Sequence, residues 1–191
     1  MSNGSFFPLT KTGSCAWIIA TPDGQEWISG GGIIPGEQRE QNSYRSELGG
    51  ALGVAAFMEC IQLPNLEAPE KYHVKYYCDG LPALQTVNTK AVYIKSSGKS
   101  VDLISMTSAI WLKSNFTVSK KHVYAHQDDT SQIETLTMES ILNCKVDLLA
   151  KQFALEQICS NKTNLFKNTT LGLGTVTCSG KLVSSQTQKT L

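Results

Sequence analysis

Three acidic residues, Glu47, Asp79 and Asp147, are predicted to point inward from three different secondary-structure elements. Glu47 lies in a helical pattern, and at about 3.6 residues per turn its face consists of small or apolar residues, Gly50, Ala51 and Val54. Asp79 follows an apolar strand and precedes a glycine, a position where ligand sites gather in α/β sheets. Asp147 shares the face of a later helix with mostly small and apolar residues.

Converging carboxylates of this kind indicate a metal site. A buried carboxylate without a partner is costly, and several together repel one another unless a cation lies between them. Mg²⁺ or Mn²⁺ would remove that repulsion. Each residue also has a simpler interpretation. Glu47 can serve as a partner of the helix N-terminus, Asp79 can belong to a plain turn, and Asp147 can pair with Lys151 on its own helix.

The composition favours one globular domain with a tail. The chain has 191 residues, 41% of them apolar, and a formal net charge of +1, so the bulk charge requires neither nucleic acid nor a membrane as partner. The sequence contains neither an apolar run of membrane-spanning length nor a recognisable signal peptide. The six cysteines include no CxxC pair. They indicate reduced thiols in an intracellular protein, in the cytoplasm or the nucleus.

The elements that must position the three acids follow the order β-β-β-α-β-α-β-α, which is typical of an α/β domain with a mixed sheet. Two strands flank a turn at 22–24, and a helix over 43–61 has Asn42 or Ser43 as its N-cap. The later predicted elements are strands in "YHVKYYCDG" and "KHVYAH" and helices near 82–89, 101–114 and 139–158. Residues 160–191 are rich in Ser, Thr, Asn and Lys and predict a loosely ordered tail.

Further motifs occur in a specific order along the chain. They are "SNGS" at 2–5, a glycine-rich hairpin in "TGSCAWII" and "SGGGII", Ser43-x-Arg45-x-Glu47, "YYCDG" with Asp79, "YAHQDD" with His126, and Leu142-Asn143-x-x-x-Asp147-x-Leu149-Ala150. In this order they resemble the ribonuclease H domain of retroelement polyproteins, the domain that follows reverse transcriptase. That family has S-D-G-S, S-x-R-x-E, an Asp that ends the fourth strand, G-H-Q-D and L-N-x-x-x-D-x-L-A at the corresponding places.

The resemblance implies a ribonuclease H-like α/β fold over residues 1–159, in which a five-stranded mixed sheet is flanked by helices and the first strand is truncated at the N-terminus. It implies hydrolysis of the RNA strand of RNA–DNA hybrids with two Mg²⁺ ions, or Mn²⁺ in their place. It also implies that Met1 is an internal start in a longer polyprotein, with a reverse transcriptase covalently linked upstream.

The resemblance also assigns roles to individual residues. The metal ligands are Asn3, Glu47, Asp79 and Asp147. Glu47, Asp79, Asp147 and His126 are the catalytic residues, with His126 on a mobile loop that moves protons or releases product. The substrate-binding residues are Asn42, Ser43 and Arg45, and the first two would read the RNA 2′-hydroxyl in the minor groove. Asn143 supports the ligands from behind.

Position 3 departs from the family pattern, because Asn stands there where the family has Asp. An amide keeps the shape of a carboxylate and loses its charge, which predicts impaired catalysis. The alternative to an active or impaired nuclease is a non-catalytic relic that binds hybrid or packs against a reverse transcriptase. An integrase or transposase of the same general fold is disfavoured, because those enzymes typically place Glu last among their acids.

A basic stretch lies between residues 90 and 121. It holds six lysines against one acid, Asp102, and the lysines are at positions 90, 95, 99, 113, 120 and 121. Some ribonucleases H place a basic surface for the hybrid in this region, and binding through phosphates would weaken steeply with salt. The alternative is an ordinary solvated face.

Overall fold

The computed structural model describes residues 1–61, 73–86, 100–114, 116–129, 131–160, 175–178 and 181–183. Within these ranges the strands are β1 (Ser2–Phe7), β2 (Thr12–Ala20), β3 (Glu26–Ile33), β4 (His73–Cys78), β5 (Thr117–His122), β6 (Thr175–Cys178) and β7 (Lys181–Val183). The helices are α1 (Ser43–Ile61), α2 (Leu81–Thr86), α3 (Val101–Lys113) and α4 (Met138–Cys159).

The strands form one mixed sheet in the order β5-β4-β1-β2-β3-β6-β7. Strands β1, β2 and β3 pair antiparallel in sequence order, and β4 joins β1 and β5 in parallel. The predicted five-stranded sheet with flanking helices is therefore confirmed. Strands β6 and β7 extend it at the β3 edge, and they lie in the segment that the sequence predicts to be a loosely ordered tail.

Strand β1 has unequal pairing on its two sides. Six register pairs join it to β2, whereas its parallel pairing with β4 consists of Ser2 opposite Cys78. This pair sets the positions of Asn3 and Asp79, because each is the next residue along its strand. Asn3 and Asp79 are thus brought to the same edge of the sheet by the β1–β4 register.

Helix α1 packs closely against β1, and its small residues make this possible. Its N-cap is Asn42, one of the two predicted residues, whose Oδ1 accepts a hydrogen bond of 2.9 Å from the Arg45 backbone N–H. A Cβ added to Gly4 would collide with the backbone of α1 at Ser46 and Glu47. Because no side chain separates the strand from the helix there, Glu47 lies directly over β1.

Apolar side chains fill the space on both faces of the sheet. One cluster joins the sheet to α1 and α3 and includes Trp17, Leu48, Leu52, Tyr76 and Leu103. A second joins the sheet to α4 and includes Ala16, Ile18, Val123, Val146 and Ala150. The sheet with a helical layer on each side accounts for the burial of both α1 and α4.

One strand ends earlier than the sequence predicts. Strand β5 ends at His122, whereas the pattern "KHVYAH" predicts a strand that runs to residue 126. The chain turns away there, and His126 adopts a left-handed φ of 52° before a short 3₁₀ helix at Gln127–Asp129. In the described part of the chain, no helix combines the length and apolarity needed to cross a bilayer.

Candidate metal centre

A cleft of about 330 Å³ opens where β1, α1, β4, α4 and the loop after β5 meet. Its lining includes four of the predicted site residues with acid or amide side chains, namely Asn3, Glu47, Asp79 and Asp147. Gly80, His126 and Lys151 also line it. Five segments from distant parts of the sequence therefore bring these predicted residues to one place.

The carboxylate of Asp79 is held by two amides. Asn3 Nδ2 donates to Asp79 Oδ2 at 3.1 Å, and Asn143 Nδ2 donates to the same oxygen at 3.2 Å. Both asparagines are almost fully buried. The other oxygen, Oδ1, is buried and has no hydrogen-bond partner among the residues that the structure describes. A buried acceptor without a donor is costly, so this oxygen marks a position where a cation would be favourable.

The backbone beside Asp79 is also fixed. Its carbonyl oxygen accepts a hydrogen bond of 3.0 Å from the Leu81 N–H and lies 2.9 Å from His122 Nε2. The turn predicted by the Asp79-Gly80 pair is therefore present. It accounts for the backbone of Asp79 and leaves the carboxylate available to the cleft.

Glu47 is a half-buried carboxylate beside a second one. Burial raises the pKa of Glu47 to about 8, and the charges of Asp79 and Asp147 add to that increase. Hydrogen bonds from the Gly4 backbone and the Cys78 thiol oppose it, and the Cys78 sulfur lies 3.5 Å from Glu47 Oε2. Among the ion pairs of the described residues, none includes Glu47. The ionised form of Glu47 consequently lacks a compensating positive charge.

Asp147 has the partner that its simpler interpretation predicts. Lys151 Nζ lies 2.6 Å from Asp147 Oδ2, one turn further along α4. The Asp147 side chain is 19% exposed and that of Lys151 is 44% exposed, so the pair lies at the rim of the cleft. Hydrogen bonding to Asp147 raises the pKa of Lys151.

The potential ligand atoms are not evenly distributed around the cleft. Within the described ranges, one oxygen each from Glu47 and Asp79 and the sulfur of Cys78 lie within 4.8 Å of one another. Asp147 lies outside this group and is ion-paired with Lys151. The structure therefore brings two of the three predicted acids into direct proximity, and the third lines the same cleft outside that group.

The fold can be compared with solved structures. One match is to RNase H1 from the halophilic archaeon Halobacterium salinarum NRC-1, with a TM-score of 0.50, over 81% of this chain and 95% of that one. The chain has a ribonuclease H-like fold. Sequence identity in this match is 12%, so the likeness concerns the fold. No protein-family model and no curated protein matches the chain significantly.

Two of the predicted substrate-binding residues lie at the N-terminus of α1 in this ribonuclease H-like fold. Asn42 is half-buried, caps α1 and donates from Nδ2 to the Glu40 carbonyl oxygen at 2.8 Å. Ser43 is the first residue of α1 and is exposed. These positions leave Ser43 accessible to a ligand and give Asn42 a structural function as well.

Arg45 occupies a different place from the one that its predicted role requires. Its guanidinium is 3% exposed and forms a two-point pair with Asp102 of α3, at 2.8 and 2.5 Å. It also donates to the Pro35 carbonyl oxygen at 3.1 and 2.9 Å. The side chain is thus engaged inside the protein, and contact with a substrate is not supported.

The remaining predicted residues are His126 and the lysines. His126 is exposed and lines the cleft, with its backbone in the left-handed region. Among the lysines, 90, 95 and 99 lie outside the described residues. Lys113 and Lys121 are exposed, whereas Lys120 is half-buried and burial lowers its pKa to about 8.

Two residues of the cleft region were not predicted to have a role in the site. The sequence predicts Lys151 only as a partner of Asp147, whereas the structure shows that it lines the cleft. For Cys78 the sequence predicts a reduced thiol, and the structure shows in addition that it contacts Glu47. Its position directly before Asp79, at the end of a strand, is the sequence signal that could have identified it.

Proposed function

We propose that this chain is a ribonuclease H domain of the retroelement type, which hydrolyses the RNA strand of RNA–DNA hybrids with divalent cations and is impaired by Asn3. The supporting observation is the convergence of Asn3, Glu47, Asp79 and Asp147 on one cleft of a ribonuclease H-like fold. We place the domain after a reverse transcriptase in an intracellular polyprotein, on the resemblance of its motifs.

The side chains of the cleft fit a hard divalent cation. Glu47 and Asp79 present carboxylate oxygens, the ligands that Mg²⁺ and Mn²⁺ prefer, and Asp79 Oδ1 lacks any donor. In the proposal, Asn3, Glu47, Asp79 and Asp147 hold two Mg²⁺ ions, or Mn²⁺. Bound there, the ions would supply Lewis-acid chemistry that activates the attacking water and stabilises the leaving 3′ oxygen.

Asn3 changes what this cleft can do. Its amide donates a hydrogen bond to Asp79, where an Asp would repel that carboxylate. The site therefore carries one negative charge fewer, and Asp79 Oδ2 is engaged by protein groups. Changes beside a metal site typically cost about 10–100-fold in affinity or activity, so losing the charge of a ligand predicts at least that effect.

Other residues would act on the substrate. His126 is exposed at the rim, and its imidazole is a side chain of the type that transfers protons in active sites, in keeping with proton transfer or product release. Ser43 and its neighbour Asn42 lie at the N-terminus of α1, where they would recognise the 2′-hydroxyl group of RNA. Asn143 holds Asp79 in position through its amide.

The experiment is cleavage of a labelled RNA–DNA hybrid in Mg²⁺ by the chain as written and by Asn3→Asp. We expect negligible cleavage by the former and an increase of about two orders of magnitude or more in the latter. Gln25→Glu adds the same charge at an exposed turn and should change nothing. Equal cleavage by the chain as written and by Asn3→Asp would show that position 3 has been assigned wrongly.

The alternative is a non-catalytic relic that binds hybrid or has a structural role beside a reverse transcriptase. Two contacts favour it, because Asn3 already donates to Asp79 and Lys151 already neutralises Asp147. Hybrid binding without cleavage by both the chain as written and Asn3→Asp would support the relic. The order of the acids disfavours an integrase or transposase. Cleavage of duplex DNA by the chain would be the result that supports one.

A further inference from the structure

Cys78 places a sulfur atom beneath the cleft, in contact with one of the carboxylates that line it. It is the last residue of β4, has a free thiol and is fully buried. Its sulfur lies 3.5 Å from Glu47 Oε2 and 3.9 Å from the Gly80 carbonyl oxygen. Its sulfur and one oxygen each from Glu47 and Asp79 lie within 4.8 Å of one another.

The spacing of these atoms suits a small tetrahedral ion. With Zn–S bonds of about 2.3 Å and Zn–O bonds of about 2.1 Å, a sulfur and an oxygen on one tetrahedral ion are about 3.6 Å apart. The observed distance from Cys78 Sγ to Glu47 Oε2 is 3.5 Å. The third atom, from Asp79, lies within 4.8 Å of both, so a small side-chain rotation completes a three-ligand arrangement.

A second, independent observation points to a ligand at this place. Asn143 is 2% exposed, donates to Asp79 through Nδ2 and has an Oδ1 atom with no partner. Asp79 Oδ1 is also without a donor. Two buried acceptors left unsatisfied beside the same carboxylate are unusual, and a cation on Asp79 would compensate at least one of them directly.

The choice of ligands decides the class of cation. Mg²⁺ takes oxygen ligands and does not use thiolates, whereas Zn²⁺ and Cd²⁺ accept mixed sulfur and oxygen sets. We propose that Cys78, Glu47 and Asp79 form a second mode of metal binding in this cleft, in which a thiophilic divalent cation binds and competes with Mg²⁺. The thiol proton passes to solvent as the metal–sulfur bond forms. This inference rests on the proposed function, because it requires Glu47 and Asp79 to accept a divalent cation.

The test is titration of the full chain with Cd²⁺, followed by the ultraviolet charge-transfer band of a cadmium–thiolate bond. We expect a band that saturates at one Cd²⁺ per chain, is retained in Cys60→Ser and is lost in Cys78→Ser. Cys60 is an exposed free thiol, so its variant is the matched control. Millimolar Mg²⁺ should shift the Cd²⁺ midpoint to higher concentration. A full band in folded Cys78→Ser, or a midpoint indifferent to Mg²⁺, would overturn the proposal.

A second variant covers the case in which Cys78→Ser does not fold. Glu47→Gln keeps the thiol and removes one charged ligand, so the Cd²⁺ midpoint should rise at least about tenfold, and an unchanged midpoint would contradict the proposal. Thermal melts in Mg²⁺ separate this inference from the proposed function. If Mg²⁺ stabilises the chain and Cys78 gives no Cd²⁺ band, the thiophilic site is wrong and the Mg²⁺ site stands. If the Cys78 band forms and Mg²⁺ stabilises nothing, the proposed Mg²⁺ site fails.

Discussion

Two charged residues on the first turns of helix α1, Arg45 and Glu47, have opposite electrostatic surroundings. Arg45 is buried, and every hydrogen bond described for its guanidinium goes to Asp102 or to the Pro35 carbonyl oxygen. Pairing with Arg45 holds the pKa of Asp102 below its usual range. Glu47 is paired with no cation among the described residues, and its pKa is raised to about 8 by burial.

The difference separates a structural charge from one that awaits a ligand. The Arg45–Asp102 pair joins α1 to α3 and is complete within the folded chain. Glu47 and Asp79 are two neighbouring acids, and Asp79 Oδ1 has no hydrogen-bond partner among the described residues. Buried charges are normally compensated. A cation from solution would therefore stabilise the protein most at the Glu47–Asp79 pair.

The largest effect that tests this comparison is on catalysis. In the Asn3→Asp background, Asp79→Asn should lower hybrid cleavage by at least about 100-fold with the fold intact, because it removes a proposed ligand. Asp102→Asn is the matched change at the Arg45–Asp102 pair, and it should leave cleavage per folded molecule unaltered. Equal losses of cleavage in the two variants, measured at matched folded fractions, would erase the distinction.

The second prediction concerns stability. Arg45→Met should lower the free energy of unfolding by about 2–3 kcal/mol, since it removes the donors to the Pro35 oxygen and leaves Asp102, whose side chain is 54% exposed, unpaired. Urea unfolding measures it. Arg39→Met breaks an exposed pair with Glu37 and should change stability by less than about 0.5 kcal/mol. A similar small change in Arg45→Met would contradict a structural role.

The two regions also differ in how far the sequence could predict them. The Asn42 cap, the small residues beside Glu47 and the bounds of α1 are local patterns, and they agree with the structure. The partner of Arg45 is Asp102, which is 57 residues away, and no local spacing encodes that pair. The position of Arg45 in the motif Ser43-x-Arg45-x-Glu47 predicts substrate contact. The motif gives the order of the residues along the chain, but it does not show which side chain turns inward.

Long-range geometry explains the other differences as well. Glu47 and Asp147 are predicted from small and apolar residues at helical spacing, and Asp79 from its place at the end of a strand before a glycine. The contact of Cys78 with Glu47 depends on the packing of α1 over the β1–β4 pair, and the early end of β5 is followed by a left-handed residue at His126. Neither follows from periodicity.

A third prediction reverses the sign of the second. In metal-free protein, Glu47→Gln should raise the free energy of unfolding by about 1–2 kcal/mol near pH 8, because it removes an uncompensated buried charge. Glu59→Gln, at an exposed position of the same helix, should have almost no effect. Mg²⁺ should raise the melting temperature of the chain as written and do little for Glu47→Gln. Destabilisation by Glu47→Gln together with indifference to Mg²⁺ would show that Glu47 is a structural residue.

The smallest expected effect is the pH dependence that Glu47 imposes on the metal-free protein. The folded chain keeps the Glu47 proton up to about pH 8, whereas the unfolded chain releases it near 4.5. Since the folded state binds more protons between these values, the contribution of Glu47 to stability is complete below about pH 4.5 and is lost as the pH rises through 8. Asp102 has the opposite dependence. Its pKa is lowered, so its contribution is present above the ordinary range of Asp and is lost as the pH falls below it.

Other groups titrate in the same window and must be subtracted. Burial lowers the pKa of the Met1 ammonium to about 6, which makes stability rise with pH and opposes the Glu47 effect. The measurement is therefore the difference in melting temperature between the chain as written and Glu47→Gln, from pH 4.5 to 8.5 in a chelator. The Gln variant should become progressively the more stable of the two as the pH rises, and saturating Mg²⁺ should remove that trend, because cation binding favours the ionised carboxylate. A difference independent of pH would mean that Glu47 is ionised throughout and that its surroundings already compensate its charge.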